Sequence, residues 1–244
     1  MTDLDHPERI IEIRQTIERK KPLKRIYLET YERYRDCLSR CPSDGLILEL
    51  GSGGGFLKEV IPDAITSDVL AYDGVDQIVD ATRMPFADQS LRAIFMSNVF
   101  HHIPDVDAFF KEAMRCLKPG GRILIMDQYC GWFSSFIYRY VHHEGFDPKV
   151  KDWKFESTGP LSGANGALAC IVFQRDLAKF QLNYALKMVR FEPHSPFRYW
   201  WVGGLKSWSL LPAWLDPLAS FLDRFLVKCS REFASFVDIE LVKS

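Results

Sequence analysis

The 244-residue chain carries 47% apolar and 26% charged side chains, a composition that buries a real core and excludes a disordered polymer. Its 31 basic and 32 acidic residues leave a formal net charge of -1, so no basic field marks a nucleic-acid partner. The opening MTDLDHPERI lacks the apolar run of a secretory signal and no stretch reaches ~18 apolar residues, which predicts a cytoplasmic protein that does not span a membrane.

In chain order, residues 7–42 predict cap helices: Ile10, Ile11, Ile13 and Ile17 recur against charge, and Tyr27, Tyr31 and Tyr34 continue the pattern after Pro22. Pro42 to Gly45 form a turn, and LILEL is a short apolar run of strand length. A short helix is expected over 55–61, a second strand at AITSDV, a further strand at LRAIFMSNVF, a helix at DVDAFFKEAMRCLK and another strand at GRILIMDQY. Lys118 is placed in the last helical turn, with Pro119 as the stop and Gly120 and Gly121 in the turn. This alternation predicts a parallel sheet wrapped by helices.

Beyond residue 128 the rhythm breaks. Residues 132–143 look helical, ESTGPLSGANGALACIVF reads as a glycine-rich loop entering an apolar strand, 175–232 as further helix and loop, and FASFVDIELVK as a terminal strand. The expected organisation is one domain over 1–244: cap helices 1–42, a cofactor-binding core 43–128, a substrate or lid region 129–232 and a last strand 233–244.

The chemistry concentrates at GSGGGF, where a buried strand runs into four glycines. A strand, a glycine turn and a helix start expose backbone N–H groups to a ligand. The dinucleotide pattern G-x-G-x-x-G is broken because its third position is Phe56, whereas E-x-G-x-G-x-G fits from Glu49 through Gly51 and Gly53 to Gly55. Asp68 closes the second strand, DATRMPF follows, then SNVFHHIPD and LKPGGRILIMD.

These four stretches, in this order over residues 45–128, resemble the class I S-adenosylmethionine-dependent methyltransferases, in particular the small-molecule subgroup with LPF-like and HHI-like segments. Met84 stands where that subgroup has Leu, a volume-conserving change. The resemblance implies a Rossmann-like α/β fold: a mostly parallel seven-stranded sheet with helices on both faces and an antiparallel last strand. It implies S-adenosylmethionine as cofactor, with Glu49, Gly51, Ser52, Gly53 and Gly55 around the methionyl part and Asp68 on the ribose hydroxyls. Asp80 would then accept from the adenine amino group, the Ala81 N–H would meet the ring, and Asn98 would complete the site. Each residue also has a plain structural reading: a tight turn for the glycines, a helix cap for Asp68, a turn residue for Asp80, a strand-end cap for Asn98.

Methyl transfer needs an aligned acceptor and, for a hydroxyl, a base. His102, then His101, are the first candidates, because they follow a parallel strand on the edge where open α/β sheets bind ligands. Packing or capping is the competing role. His142, His143, Glu144 and Asp147 form a second cluster that could cover a substrate, and Asn165 lies in the glycine-rich loop. None of these follows a metal-ligand signature, and the six scattered cysteines read as free thiols, so no metal site is predicted.

Four of the six tryptophans (Trp200, Trp201, Trp208, Trp214) fall in the segment 197–228, which reads as a lid, a homodimer surface or a peripheral membrane contact. The expected function is therefore methyl transfer from S-adenosylmethionine to a small or lipid-linked metabolite, at oxygen. A catalytically silent binding or assembly protein of the same fold is the alternative.

Overall fold

A computed structural model describes residues 8–141, 144–157, 159 and 163–244. Two helices open the chain, α1 (Glu8–Arg19) and α2 (Lys21–Leu38), and Pro22 starts the second where a missing N–H costs nothing. The apolar runs then form β1 (Leu46–Leu50), β2 (Ala64–Asp68), the two-residue β3 (Gln77–Ile78) and β4 (Leu91–Ser97). Helix α3 (Val106–Cys116) follows, capped by the Asp105 carboxylate accepting from the Ala108 N–H at 2.9 Å, and leads into β5 (Leu117–Gln128). Next come α4 (Trp132–Tyr140), α5 (Leu168–Cys170, continued by π-type turns over Ile171–Arg175) and α6 (Leu177–Asn183). The chain ends with β6 (Leu186–His194), α7 (Arg198–Trp201), α8 (Asp216–Cys229) and β7 (Phe236–Lys243).

The seven strands form one sheet in the order β3-β2-β1-β4-β5-β7-β6. β1 to β5 pair in parallel, while β7 runs antiparallel between β5 and β6, from Arg122↔Val242 to Gln128↔Phe236 on one side. The Rossmann-like sheet inferred above is the one observed.

Alternate residues of the central strands feed two cores. Leu48, Ile94, Met96, Ile123 and Ile125 pack against α3, α5 and α6 on one face. Ile47, Phe95 and Leu124 pack against α1, α2 and α8 on the other, where Tyr34 stacks on Phe95 at 4.5 Å between ring centroids. From this face Arg14 of α1 and Tyr31 of α2 reach the glycine turn that follows β1.

Four local expectations change. No α-helix follows the glycines: Leu57–Glu59 makes one 3-10 turn, because Pro62 lies only a few residues on and disfavours helix in the residue before it. Helix α3 ends at Cys116, so Lys118 lies outside it, in a strand that pairs Leu117 with Leu91 and kinks at Gly120 (φ +77°). The run expected as a strand after Gly166 is the buried helix α5, a case periodicity cannot decide when every face is apolar. Finally, 186–194 is a strand, β6, whose partly exposed edge and Pro193 blur the alternation that would announce it.

Candidate active site

The carboxyl ends of β1, β2, β4 and β5 converge on one edge of the sheet, and the sequence-selected residues gather there. Glu49 points out of β1 into a setting only 4% exposed, beneath α2, and its Oε2 has no hydrogen-bond partner among the described residues. Burial pushes its carboxyl up to about 7, with the Ser52 hydroxyl working the other way. An orphaned buried carboxylate oxygen is costly unless a cation or donor comes to meet it.

The glycines beside it divide into two pairs by what limits them. Gly51 (φ +64°) and Gly53 (φ +49°) are left-handed, and a side chain on Gly51 would run into Val99 at 2.4 Å, whereas one on Gly53 would enter open space. Gly54 and Gly55 are small for the protein's own sake. A methyl group on Gly54 would stand 2.6 Å from the Arg14 nitrogen of α1, and one on Gly55 would stand 2.4 Å from the Tyr31 hydroxyl of α2, which accepts from the Phe56 N–H at 3.0 Å. Two of the four glycines thus seat the cap helices, a role the sequence does not announce.

Asp68 ends β2, buried, with Oδ2 accepting from the Gly53 N–H at 3.1 Å and from the Tyr72 hydroxyl at 3.0 Å. The carboxylate therefore faces the glycine turn and receives a hydroxyl donor, the chemistry a sugar diol would offer. Ser52 Oγ accepts from the Ser67 N–H at 3.1 Å and ties the loop to β2. Asp80 is exposed, with Oδ1 capping Thr82 through both its N–H (2.8 Å) and its hydroxyl (2.7 Å), and Ala81 is half-buried beside it. Asn98 has a left-handed backbone (φ +54°) at the end of β4 and lines a cavity of about 20 Å³ with Tyr27, Thr30, Ser97, Ser195 and Tyr199. Strain of this kind in a non-glycine residue is held in place by its surroundings, here the Asn98 N–H on the Met126 carbonyl at 2.8 Å.

The two candidate bases follow β4 in the turn Phe100–His102 and differ in state. His101 is fully buried, with Nδ1 2.7 Å from Asp127 Oδ1 and Nε2 3.2 Å from Glu144 Oε2. Burial disfavours its charged form, but Asp127 and Glu144 outweigh that and hold it up at about 10. His102 Nδ1 donates to the Gly163 carbonyl at 3.0 Å, and burial with the neighbouring His101 pushes this ring down to about 4. At neutral pH one ring is charged and the other a weak base, which makes neither an efficient general base as it stands.

Asp127, at the end of β5, and Glu144 are the groups the sequence reading did not assign to the histidines; the fold brings His101, His102 and Glu144 ligand atoms within 4.8 Å of one another. The signal available was only that Asp127 closes a buried strand on the ligand-binding edge. His142 and His143 lie outside the described residues. Asn165 is structural: its Oδ1 accepts from the Asp147 and Ala167 N–H groups, its Nδ2 donates to the Asp147 carbonyl, and its own N–H donates to the His101 carbonyl at 2.9 Å. It fastens the loop over the histidines.

The aromatic segment splits. Trp200 turns inward, its Nε1 donating to Ser235 Oγ at 2.8 Å, and Tyr199 reaches the Asn98 cavity. Trp201, Trp208 and Trp214 face outward, and Trp214 is 77% exposed. Among the described residues no helix is long and apolar enough to cross a membrane.

With this geometry in hand, comparisons with known proteins are informative. Residues 48–125 match the family described as "Methyltransferase domain". A ubiquinone/menaquinone biosynthesis C-methyltransferase of Desulfotalea psychrophila is 32% identical over 77 residues, 31% of this chain and 30% of that protein. A chloroplastic tocopherol O-methyltransferase of Arabidopsis thaliana is 34% identical over 64 residues, 26% of this chain and 18% of that protein. The matched stretches span less than a third of these relatives.

Among solved structures, a geranyl diphosphate C-methyltransferase from Streptomyces coelicolor A3(2), crystallised with Mg2+, geranyl diphosphate and S-adenosyl-L-homocysteine, shares the fold. It has a TM-score of 0.53 and 16% identity, with 91% of this chain and 82% of that one covered. The [4+2]-cyclase SpnF has a TM-score of 0.50 and 14% identity over 87% of this chain and 81% of its own. The matched domain, the strand order around it and the Glu49-to-Gly55 turn together give residues 48–125 the likeness of a methyltransferase domain, set in the fold of the geranyl diphosphate C-methyltransferase.

Proposed function

We propose that the protein transfers a methyl group from S-adenosylmethionine to a small or lipid-linked acceptor. The observation that carries this reading is Glu49: a buried carboxylate with an unpartnered oxygen, next to the left-handed turn Gly51–Gly53, suits a ligand bearing a positive charge. S-adenosylmethionine carries two, its ammonium and its sulfonium. The residues fit the rest of the cofactor as well, since Asp68 accepts hydroxyl donors and Gly53 has open space where a side chain would be. The cofactor supplies an activated methyl; the protein's task is to hold the acceptor in line and exclude water.

Oxygen is the acceptor atom we favour, because the edge beside the loop offers imidazole and carboxylate groups that a hydroxyl can hydrogen-bond. A lipid-linked acceptor is supported by exposed apolar side chains on two helices. Trp132, Phe136 and Tyr140 of α4 and Leu218, Phe221 and Phe225 of α8 are each more than half exposed, and ring contacts from Phe133 through Phe197 to Trp201 link α4 to α7. Exposed Trp, Tyr and Phe on amphipathic helices suit a lipid interface. We accordingly place the protein in the cytoplasm, resting on membrane lipid.

Calorimetric titration with S-adenosylmethionine and S-adenosylhomocysteine tests the reading, followed by a homocysteine-release screen over hydroxylated and polyprenyl-linked acceptors. Flotation with liposomes tests the lipid contact. A catalytically silent binding or assembly protein is the second reading, favoured by Tyr72 and α1 closing on the loop; it predicts no homocysteine release with any acceptor, whether or not the cofactor binds.

A further inference from the structure

The cluster His101, His102 and Glu144 has features that neither proton transfer nor packing requires. Both histidines have Nδ1 tied down and Nε2 turned to the same carboxylate. His101 Nδ1 lies on Asp127 Oδ1 at 2.7 Å, and His102 Nδ1 on the Gly163 carbonyl at 3.0 Å. A carbonyl only accepts, so His102 carries its hydrogen on Nδ1 and leaves the Nε2 lone pair free to act as a donor to a metal.

Asp127 is itself fixed: its carboxylate accepts from the backbone N–H of Gln128 at 2.7 Å and from that of His101 at 3.3 Å. Gln128, buried, donates from Nε2 to Glu144 Oε2 at 3.0 Å and orients that carboxylate in turn. Imidazoles backed by a carboxylate or a carbonyl, facing a hydrogen-bonded carboxylate, form the outer shell that metal-binding histidines require.

The spacing agrees. His101 Nε2 lies 3.2 Å from Glu144 Oε2 and His102 Nε2 lies 3.7 Å from Glu144 Oε1. Ligands ~2.1 Å from a tetrahedral ion are about 3.4 Å apart along an edge. The turn carrying the histidines is seated against the glycine loop through Val99, so the cluster shares the ligand-binding edge of the sheet.

We propose that His101 Nε2, releasing its proton to solvent as the ion enters, His102 Nε2 and the Glu144 carboxylate bind one first-row divalent transition-metal ion, with Asp127 and the Gly163 carbonyl as the outer partners that fix the two rings. Two imidazoles and one carboxylate select zinc or iron over magnesium or calcium. Three protein ligands leave a position open, which takes an oxygen ligand from water or a small molecule. The site stands on its own residues and holds whether or not the protein transfers methyl groups.

The test is zinc binding to the full-length protein after treatment with a chelator, measured by competition with a chromophoric chelator in the absence of S-adenosylmethionine. We expect one equivalent of zinc, with Glu144→Gln and His102→Gln each at least tenfold weaker. Asp127→Asn should weaken binding about 10- to 100-fold, and His194→Gln, on another part of the sheet edge, should leave it unchanged. Glu144→Gln is isosteric and partly exposed, so its folded state is checked by its metal-free melting curve. Cobalt loading should give a spectrum without thiolate charge-transfer bands. Stoichiometric zinc that survives both Glu144→Gln and His102→Gln, a thiolate band from the free cysteines, or no zinc bound by the parent protein each overturns the proposal.

Discussion

Gly54 lies so close to α1 that a methyl group on it would stand 2.6 Å from the backbone nitrogen of Arg14. Backbone cannot yield as a flexible side chain does, so Gly54→Ala should push α1 off the glycine loop. The expected cost is about 1–3 kcal/mol, in the range of overpacked sites, with faster limited proteolysis within residues 8–19. Gly53→Ala, whose methyl group meets open space, should leave α1 protected and cost only about 1 kcal/mol for a left-handed backbone. Equal proteolysis of the two variants would show that α1 does not depend on Gly54.

Glu49 should make cofactor affinity depend on pH. Its carboxyl is raised from 4.5 to about 7 by burial, so the protein without ligand keeps it neutral below that value and pays for the charge above it. The apo protein thus loses stability as pH climbs from the unfolded pKa through the folded one, by roughly 3 kcal/mol at most. A cationic ligand favours the charged form, so affinity for S-adenosylmethionine should rise about tenfold per unit up to pH 7 and then level off. Glu49→Gln should flatten both profiles, as read by calorimetry and by thermal melts at pH 5.5 and 8.

Asp68 and Tyr72 make a paired prediction. Asp68→Ala removes a charged acceptor and should weaken cofactor binding about 10- to 100-fold. Tyr72→Phe removes the hydroxyl that occupies Asp68 Oδ2 at 3.0 Å, and should tighten binding a few-fold by releasing that oxygen to the ligand. Weaker binding in Tyr72→Phe would instead make the phenol part of the ligand's own contact set.

Arg198 holds the C-terminal helices to the cap. Its buried guanidinium pairs with Asp216 through Nε at 2.7 Å and with Glu29 of α2 through Nη1 at 2.7 Å. Arg198→Met leaves the buried Asp216 carboxylate only the half-exposed Arg25, at 3.1 Å, and should cost about 2–3 kcal/mol, a fall of several degrees in melting temperature. Adding Asp216→Leu should restore part of the loss, because the poorly compensated buried charge is then gone.

Strands β1, β2, β4 and β5 and the Glu49-to-Gly55 turn could be read from residues 45–128, because a parallel sheet buried on both faces leaves unbroken apolar runs punctuated by glycine. The antiparallel β7 followed from the same resemblance. What the sequence determined by itself, then, was the parallel half of the sheet and the edge on which the candidate residues lie.

The tertiary structure decided the rest. That Gly54 and Gly55 yield to Arg14 and Tyr31 depends on packing across separations of about forty and twenty-four residues, which no local pattern encodes. The assignment of α5 as helix rather than strand was equally hidden, since a run buried on all sides has lost its period. His101 and His102 look alike as neighbours in the sequence; only the approach of Asp127 from β5 and Glu144 from beyond α4 makes one ring charged, the other neutral, and sets both facing the same carboxylate. Charge state and ligand geometry are set by groups a few ångströms away in space, and chain order does not say which groups those are.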